Sequence, residues 1–217
     1  MERTIKVTGR GKLSVAPDLA IIRMELRKTL PDHSDAMQKS AEATELLKKP
    51  LEKAGVKREE VKTIAFSVVP KFESRKDWNA YKEKLVGYEY VHTLQVSVDA
   101  NDSMLGKCLN ALSSGSLDPK ISISYTVEDT ESCKRKLIAS AVNDAQHAAL
   151  NIADAAGFAL GAIISVDYSW SELSFISRPT DGGMRLKASG SDGGYPLPVH
   201  PDNIELTDTV TVVWTIA

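Results

Sequence analysis

Histidine, cysteine and glycine are the residues of this chain whose chemistry could support catalysis or ligand capture, so their spacing comes first. His33, His92, His147 and His200 would serve as proton shuttles or metal ligands if grouped. None is followed three or four residues later by another His or a carboxylate, so no helical ligand pattern is present. Cys108 and Cys133 lie far apart with no C-x-x-C spacing, which predicts buried free thiols and neither a zinc site nor a redox pair. Gly9-Arg10-Gly11 resembles the start of a phosphate loop but lacks the third glycine and the strand-then-helix context of a dinucleotide fingerprint. These glycines predict a bulge or a close backbone approach within a strand. Gly190-Ser191-Asp192-Gly193-Gly194 has the letters of a nucleophile elbow without its spacing, which removes support for a serine hydrolase. Asp99 and Asp154 have no visible carboxylate partner. The expectation is a chain with no catalytic residues, no cofactor and no metal.

The elements that carry these residues follow from hydrophobic period and punctuation. Thr4 to Lys12 alternates as a strand, and Leu19 to Leu30 is a second with Ile22, Met24 and Leu26 on one face. Pro31-Asp32 opens a helix to about Lys53 with Ala36, Ala43, Leu46, Leu47 and Leu51 at helical spacing, kinked in its last turn at Pro50. Val61 to Lys71 reads as a strand, Glu73 to Lys84 as a polar loop, and Val86 to Val98 as a strand whose Tyr88, Tyr90, His92, Leu94, Val96 and Val98 share one face. A pocket built from Tyr88, Tyr90 and His92 is the one place where aromatic and titratable groups gather, although cross-strand packing accounts for the same trio. A short helix from Asp102 to about Leu112 precedes a strand at 121–127. Asp129 or Thr130 then caps an alanine-rich helix ending at Gly157, with a stripe of Leu137, Ala141, Ala145, Ala148 and Ile152 suited to close packing on a sheet. Strands at 162–168 and 205–216 complete the chain.

Both halves share a β-α-β-β order, a candidate pseudo-repeat, with subdomains at 1–100 and 101–217. Strands joined without a crossover helix pair antiparallel most easily. The predicted fold class is α+β, with largely antiparallel sheets and helices packed on one face. The irregular stretch 171–203 combines glycines and prolines with Phe175, Met184, Leu186, Tyr195, Leu197 and Val199, an apolar content that marks a candidate interaction loop.

Charge and composition bound the function. Apolar residues make 42% and charged residues 26% of the 217, ordinary for a soluble globular chain. Twenty-seven basic against 29 acidic residues leave a net charge of −2, which argues against nucleic acid as a partner. No run approaches the ~18 apolar residues of a membrane span. The first residues enter a strand pattern directly and show no signal peptide, so the chain is expected to be cytoplasmic unless an export signal has been cut from it.

Val7-Thr8-Gly9-Arg10-Gly11 followed by Val15-Ala16-Pro17-Asp18-Leu19-Ala20 resembles the opening signature of the SIMPL-domain family, named for a signalling protein that associates with a pelle-like kinase. Thr63, Pro70, Gly87-Tyr88, Leu105-Gly106 and Ala156-Gly157-Phe158-Ala159-Leu160-Gly161 continue the likeness in order, over about residues 4–216. The resemblance implies one SIMPL-like domain over 1–217 with an α+β fold. It also implies roles in stress tolerance and protein association, frequently in the bacterial periplasm or envelope. Members include a periplasmic antigen that builds a ring-like or channel-like homo-oligomer. The family supplies no catalytic residues to carry over.

The leading expectation is therefore a non-enzymatic association module. It would form homo-oligomers or dock on a protein partner through the 171–203 loop and through exposed strands such as 4–12 or 205–216. The alternative is a small-molecule binder or enzyme using a cleft between the two halves, near Tyr88, Tyr90 and His92.

Overall fold

A computed structural model describes residues 3–77, 80–100, 103–168, 173–177 and 201–217. In chain order the elements are β1 (Thr4–Val15), β2 (Leu19–Leu30), α1 (His33–Lys53), a 3₁₀ turn (Arg58–Glu60), β3 (Lys62–Asp77) and β4 (Ala80–Asp99). They continue with α2 (Ser103–Ser113), β5 (Lys120–Thr126), α3 (Thr130–Ala156), β6 (Leu160–Asp167) and β7 (Ile204–Ile216). The strands form two sheets, β1-β7-β6 and β3-β4-β2-β5, in which β1–β7, β6–β7, β2–β4 and β3–β4 pair antiparallel. This is the expected α+β class.

The chain divides into two compact units with cuts after Pro17 and after Tyr125. One holds β1, α3, β6 and β7; the other holds β2, α1, β3, β4, α2 and β5. The units thus do not follow a single cut near residue 100. The β-α-β-β likeness survives in sheet order, since β2-β4-β3 with α1 corresponds to β1-β7-β6 with α3. However, β5, which opens the second set in sequence, joins the edge of the other sheet beside β2, and β1 takes its place beside β7.

In the unit containing β2, Ile22, Met24 and Leu26 lie buried with Leu94 and Val96 of β4 against Leu47 and Leu51 of α1 and Leu105, Cys108 and Leu109 of α2. Each such aliphatic side chain contributes about 2 kcal/mol by leaving water. The buried face of α1 is Ala36, Ser40, Ala43, Thr44, Leu47 and Leu51. Leu46, expected in that stripe, is exposed instead.

The β3–β4 hairpin differs most from expectation. Within the expected loop Glu73 to Lys84, residues 73–77 and 80–84 are strand, because β3 and β4 stay in register from Phe72↔Leu85 to Asp77↔Ala80. Pairing of β2 with β4 stops at Leu30↔Tyr88, so the hairpin runs on as a two-stranded ribbon. Phe72, Glu73 and Ser74 of β3 and residues 83–86 of β4 are all exposed, and a ribbon whose described side chains form no buried face shows no apolar period by which to recognise it. The ribbon leaves the sheet at a register shift beside Gly87, whose φ of +144° suits glycine and whose added Cβ would sit 2.2 Å from the Leu30 carbonyl oxygen. Lys71 of β3 donates to Glu89 of β4 at 2.6 Å, with Arg27 of β2 on the other Glu89 oxygen at 3.6 Å, linking three strands at the ribbon's base.

The other unit is organised by helix α3 lying on β1. Asp129 caps the helix, its Oδ1 accepting from the Ser132 N–H at 2.8 Å, and Gly157 ends it. Its buried row is Cys133, Leu137, Ala141, Ala145, Ala149 and Ala153, in unbroken four-residue steps. Ile152, expected in the stripe, is exposed. The small row meets glycine: a Cβ on Gly9 would lie 2.2 Å from the Ala141 carbonyl oxygen, and one on Gly11 2.3 Å from that of Leu137. The register of β1 with β7 is continuous, so of the two sequence readings the close approach holds and the bulge does not. Val7, Val210, Val212 and Trp214 pack beside the alanines, and Val127, Phe175, Ile204 and Leu206 pack beside Cys133 and Leu137.

Gly9→Ala should therefore cost about 1–3 kcal/mol by forcing helix and strand apart. By contrast Gly106→Ala, inside α2 with nothing within 4 Å of the new Cβ, should add up to about 1 kcal/mol. Urea midpoints of the two variants check the opposite signs.

Candidate functional site

The sequence-derived trio Tyr88, Tyr90 and His92 does share the helix-facing side of β4, and the structure puts each side chain to a structural use. Tyr90 is buried in the core among Ile22, Leu26 and Leu94, and burial pushes its phenol pKa up. Half-buried Tyr88 meets the His33 ring edge-on at 5.5 Å. His92 lies beneath α1 and is held from three sides. Ser40 Oγ and Thr44 Oγ1 reach its Nδ1 at 3.1 and 3.0 Å, and Thr63 Oγ1 of β3 reaches Nε2 at 3.0 Å. Thr44 already donates its proton to the Ser40 carbonyl oxygen at 2.9 Å, so it accepts from Nδ1–H, and Nε2 in turn accepts from the Thr63 hydroxyl. Phe66 closes the ring's side at a centroid distance of 5.0 Å.

These partners satisfy a neutral imidazole. Burial first, and then the positive charge of Lys48, lower the His92 pKa below its ordinary value. Ser40 and Thr44 went unnoticed in the sequence because hydroxyls on a helix read as surface. The signal was there, since 36, 40, 43, 44, 47 and 51 keep helical spacing through both residues.

Of the expected interaction loop, Phe175 is buried against Val127, Leu137 and Leu206 of its own unit. Met184, Leu186, Tyr195, Leu197 and Val199 lie outside the described residues. Of the two strands named as open edges, β1 lies at a sheet edge and β7 does not. β7 (205–216 in the sequence reading) is the central strand of its sheet, paired on both sides. On β1 (4–12) the outward N–H of Arg10 donates to Asp144 Oδ2 at 2.8 Å and that of Lys12 to Ser140 Oγ at 3.4 Å, so side chains of α3 occupy the edge at these two positions. β6 is an apolar edge that the sequence reading had not singled out, and β3, at the edge of the other sheet, also exposes Ile64, Phe66 and Val69. Ile163, Ile164 and Val166 are 57%, 49% and 54% exposed, and no strand lies beside β6 opposite β7 among the described residues. The β3–β4 ribbon adds exposed Phe72, Leu85 and Val86 in the other unit.

Other reactive groups are engaged or inert. The buried carboxylate of Asp208 accepts from the Tyr168 hydroxyl and from the Thr209 N–H, both at 2.8 Å. Cys108 and Cys133 are free and buried, as expected, and burial raises the Cys108 pKa, away from the reactive thiolate. Among the described residues no group of three His, Cys, Asp or Glu side chains could hold a metal ion, and no helix is long and apolar enough to cross a membrane.

An α+β chain of two sheet-and-helix units with exposed apolar strand surfaces is what the described residues define. The chain belongs to the SIMPL family, proteins of unknown function (DUF541), whose family model matches residues 5–214. It is 26% identical over 200 residues to the 26 kDa periplasmic immunogenic protein of Brucella melitensis, covering 92% of this chain and 76% of that protein. The uncharacterized protein YggE of Escherichia coli K12 is 23% identical over 210 residues, covering 97% of this chain and 82% of YggE. YggE of Edwardsiella ictaluri is likewise 23% identical, over 217 residues, covering 98% and 87%. The cytoplasmic expectation finds no support among these relatives, one of which is periplasmic by name.

Because His92 is held neutral, the unfolded chain takes up its proton first as pH falls. Its stabilising contribution is present above the unfolded value of about 6.5 and is lost as pH drops below that toward the lower folded value. Unfolding free energy should therefore decline between about pH 7 and pH 5. His92→Gln, which hydrogen-bonds without titrating, should flatten that decline in urea titrations at each pH.

Proposed function

We propose that this protein is a non-enzymatic association module that assembles with copies of itself through its open apolar strand surfaces, in a periplasmic setting and in the service of stress tolerance. One observation carries the reading: β6 is an edge strand with three large aliphatic side chains about half exposed. An edge of this kind accepts another strand through backbone hydrogen bonds, with its side chains burying against the newcomer. β6 bears a single charged residue, Asp167 at its end, so two copies pairing antiparallel about a two-fold axis bring the same apolar triplet together without like-charge repulsion at the centre. The ribbon carrying Phe72 and Leu85 offers a second surface of the same character. The setting is supported by the periplasmic name of the Brucella relative, and the stress-tolerance element by the family likeness alone.

Sedimentation equilibrium at micromolar concentration tests the reading. The chain should run well above its monomer mass of 23.6 kDa, and Ile163→Lys with Val166→Lys should return it toward that mass with an unchanged far-ultraviolet spectrum. A wild-type chain that stays monomeric across the accessible concentration range would sink the proposal.

A further inference from the structure

Helix α3 and the outer edge of β1 bound an open groove of about 860 Å³ within a single unit. Three cations line it from two elements, Arg10 and Lys12 on the strand and Lys136 on the helix. Among the described residues none of the three belongs to an ion pair, whereas Arg27, Lys39, Arg58, Lys71 and Lys134 each hold a carboxylate. In a chain of net charge −2, three unneutralised cations around one concavity make a local field opposite in sign to that of the whole molecule.

The remaining lining completes a polar track. Ser140, Asn143 and His147 stand along the same face of α3, and Lys136 to His147 spans eleven residues, a rise of about 16 Å. The one carboxylate there, Asp144, accepts the Arg10 backbone N–H through Oδ2. It serves the strand edge while opposing an anionic guest. Two of the cations, Lys12 and Lys136, share one end and Arg10 stands farther along, because Gly11 sits against Leu137 and Ala141 while Gly9 sits one turn on, against Ala141 and Ala145. Lys12 therefore lies over the turn of Lys136 and Ser140, and Arg10 over that of Asp144.

We infer that this groove binds a multiply charged phosphate ligand. Its phosphate groups would sit on Lys12, Lys136 and Arg10, and its remainder would lie along Asn143 and His147. Ammonium groups bind phosphate as point charges, and the guanidinium adds directed hydrogen bonds. The open, elongated shape suits an extended ligand with separated anionic groups better than a compact metabolite that an enclosed cavity would surround. The phosphates can come from a free compound or from a lipid headgroup. The inference does not rest on self-association.

The test uses the whole chain at low ionic strength, with tripolyphosphate titrated by calorimetry and with sedimentation on phosphatidylcholine vesicles made with and without phosphatidic acid. Binding of tripolyphosphate points to the free compound, and selective capture by phosphatidic acid vesicles to the headgroup; either supports the site. The Lys12→Gln, Lys136→Gln double variant should weaken whichever binding is seen by about tenfold or more. Asp144→Asn keeps an oxygen acceptor for the Arg10 N–H while removing the negative charge, and should strengthen it. Both variants have exposed side chains, and thermal midpoints confirm that they fold. No binding of either probe by the wild-type chain, an unchanged affinity in the double variant, or weaker binding by a folded Asp144→Asn variant would overturn the inference.

Discussion

The direct contact of helix backbone with strand backbone at Gly9 and Gly11 governs the unit built on β1. No side chain separates α3 from β1 there, so the helix lies lower on the sheet than side chains of ordinary size would allow. Three consequences follow from that height. The helix must present alanine along its buried row, as it does from Ala141 to Ala153. Its flanking polar residues come level with the strand's outer backbone, which is how Asp144 and Ser140 reach the N–H groups of Arg10 and Lys12. With β1 engaged by α3 at Arg10 and Lys12 and β7 paired on both sides, the sheet's exposed apolar edge falls on β6.

The other unit seats its helix by a different device. Beneath α1 the contact runs partly through Ser40, Thr44 and His92, a small polar network inside an otherwise apolar interface. Such a network gains less from burial than a leucine would, but it has directional requirements that a sliding helix would violate. The alanine-on-glycine contact specifies position by shape, and the hydroxyl-on-imidazole contact specifies it by hydrogen-bond geometry.

Much of this was legible in the residues. The fold class, the limits of α1 and α3, the Asp129 cap and the free buried thiols all follow from periodicity and punctuation, because one face of each element is apolar and its ends carry recognisable stops. What escaped detection was whatever lacked an apolar face. The ribbon beyond Lys71 exposes every side chain described on it, apolar and charged alike, so its pairing leaves no period-two trace of burial. The assignment of β5 and β1 to sheets is a matter of partner choice between distant segments, which local pattern does not encode. For the same reason Tyr88, Tyr90 and His92 were correctly placed on one face, while the hydroxyls that occupy His92 come from another element and were visible only once helix and sheet met.

The pairing of β1 with β7 also sets the order in which the polypeptide can acquire its shape. Thr4 aligns with Thr215, so the opening strand leaves the ribosome about two hundred residues ahead of the segment that completes it. Between them lies the described part of the four-stranded unit, whose partners are closer along the chain than β1 and β7 are. Synthesis therefore allows the four-stranded unit to settle early, while the unit built on β1 stays unfinished until β7 arrives. Loss of β7 would strand β1 without its mate.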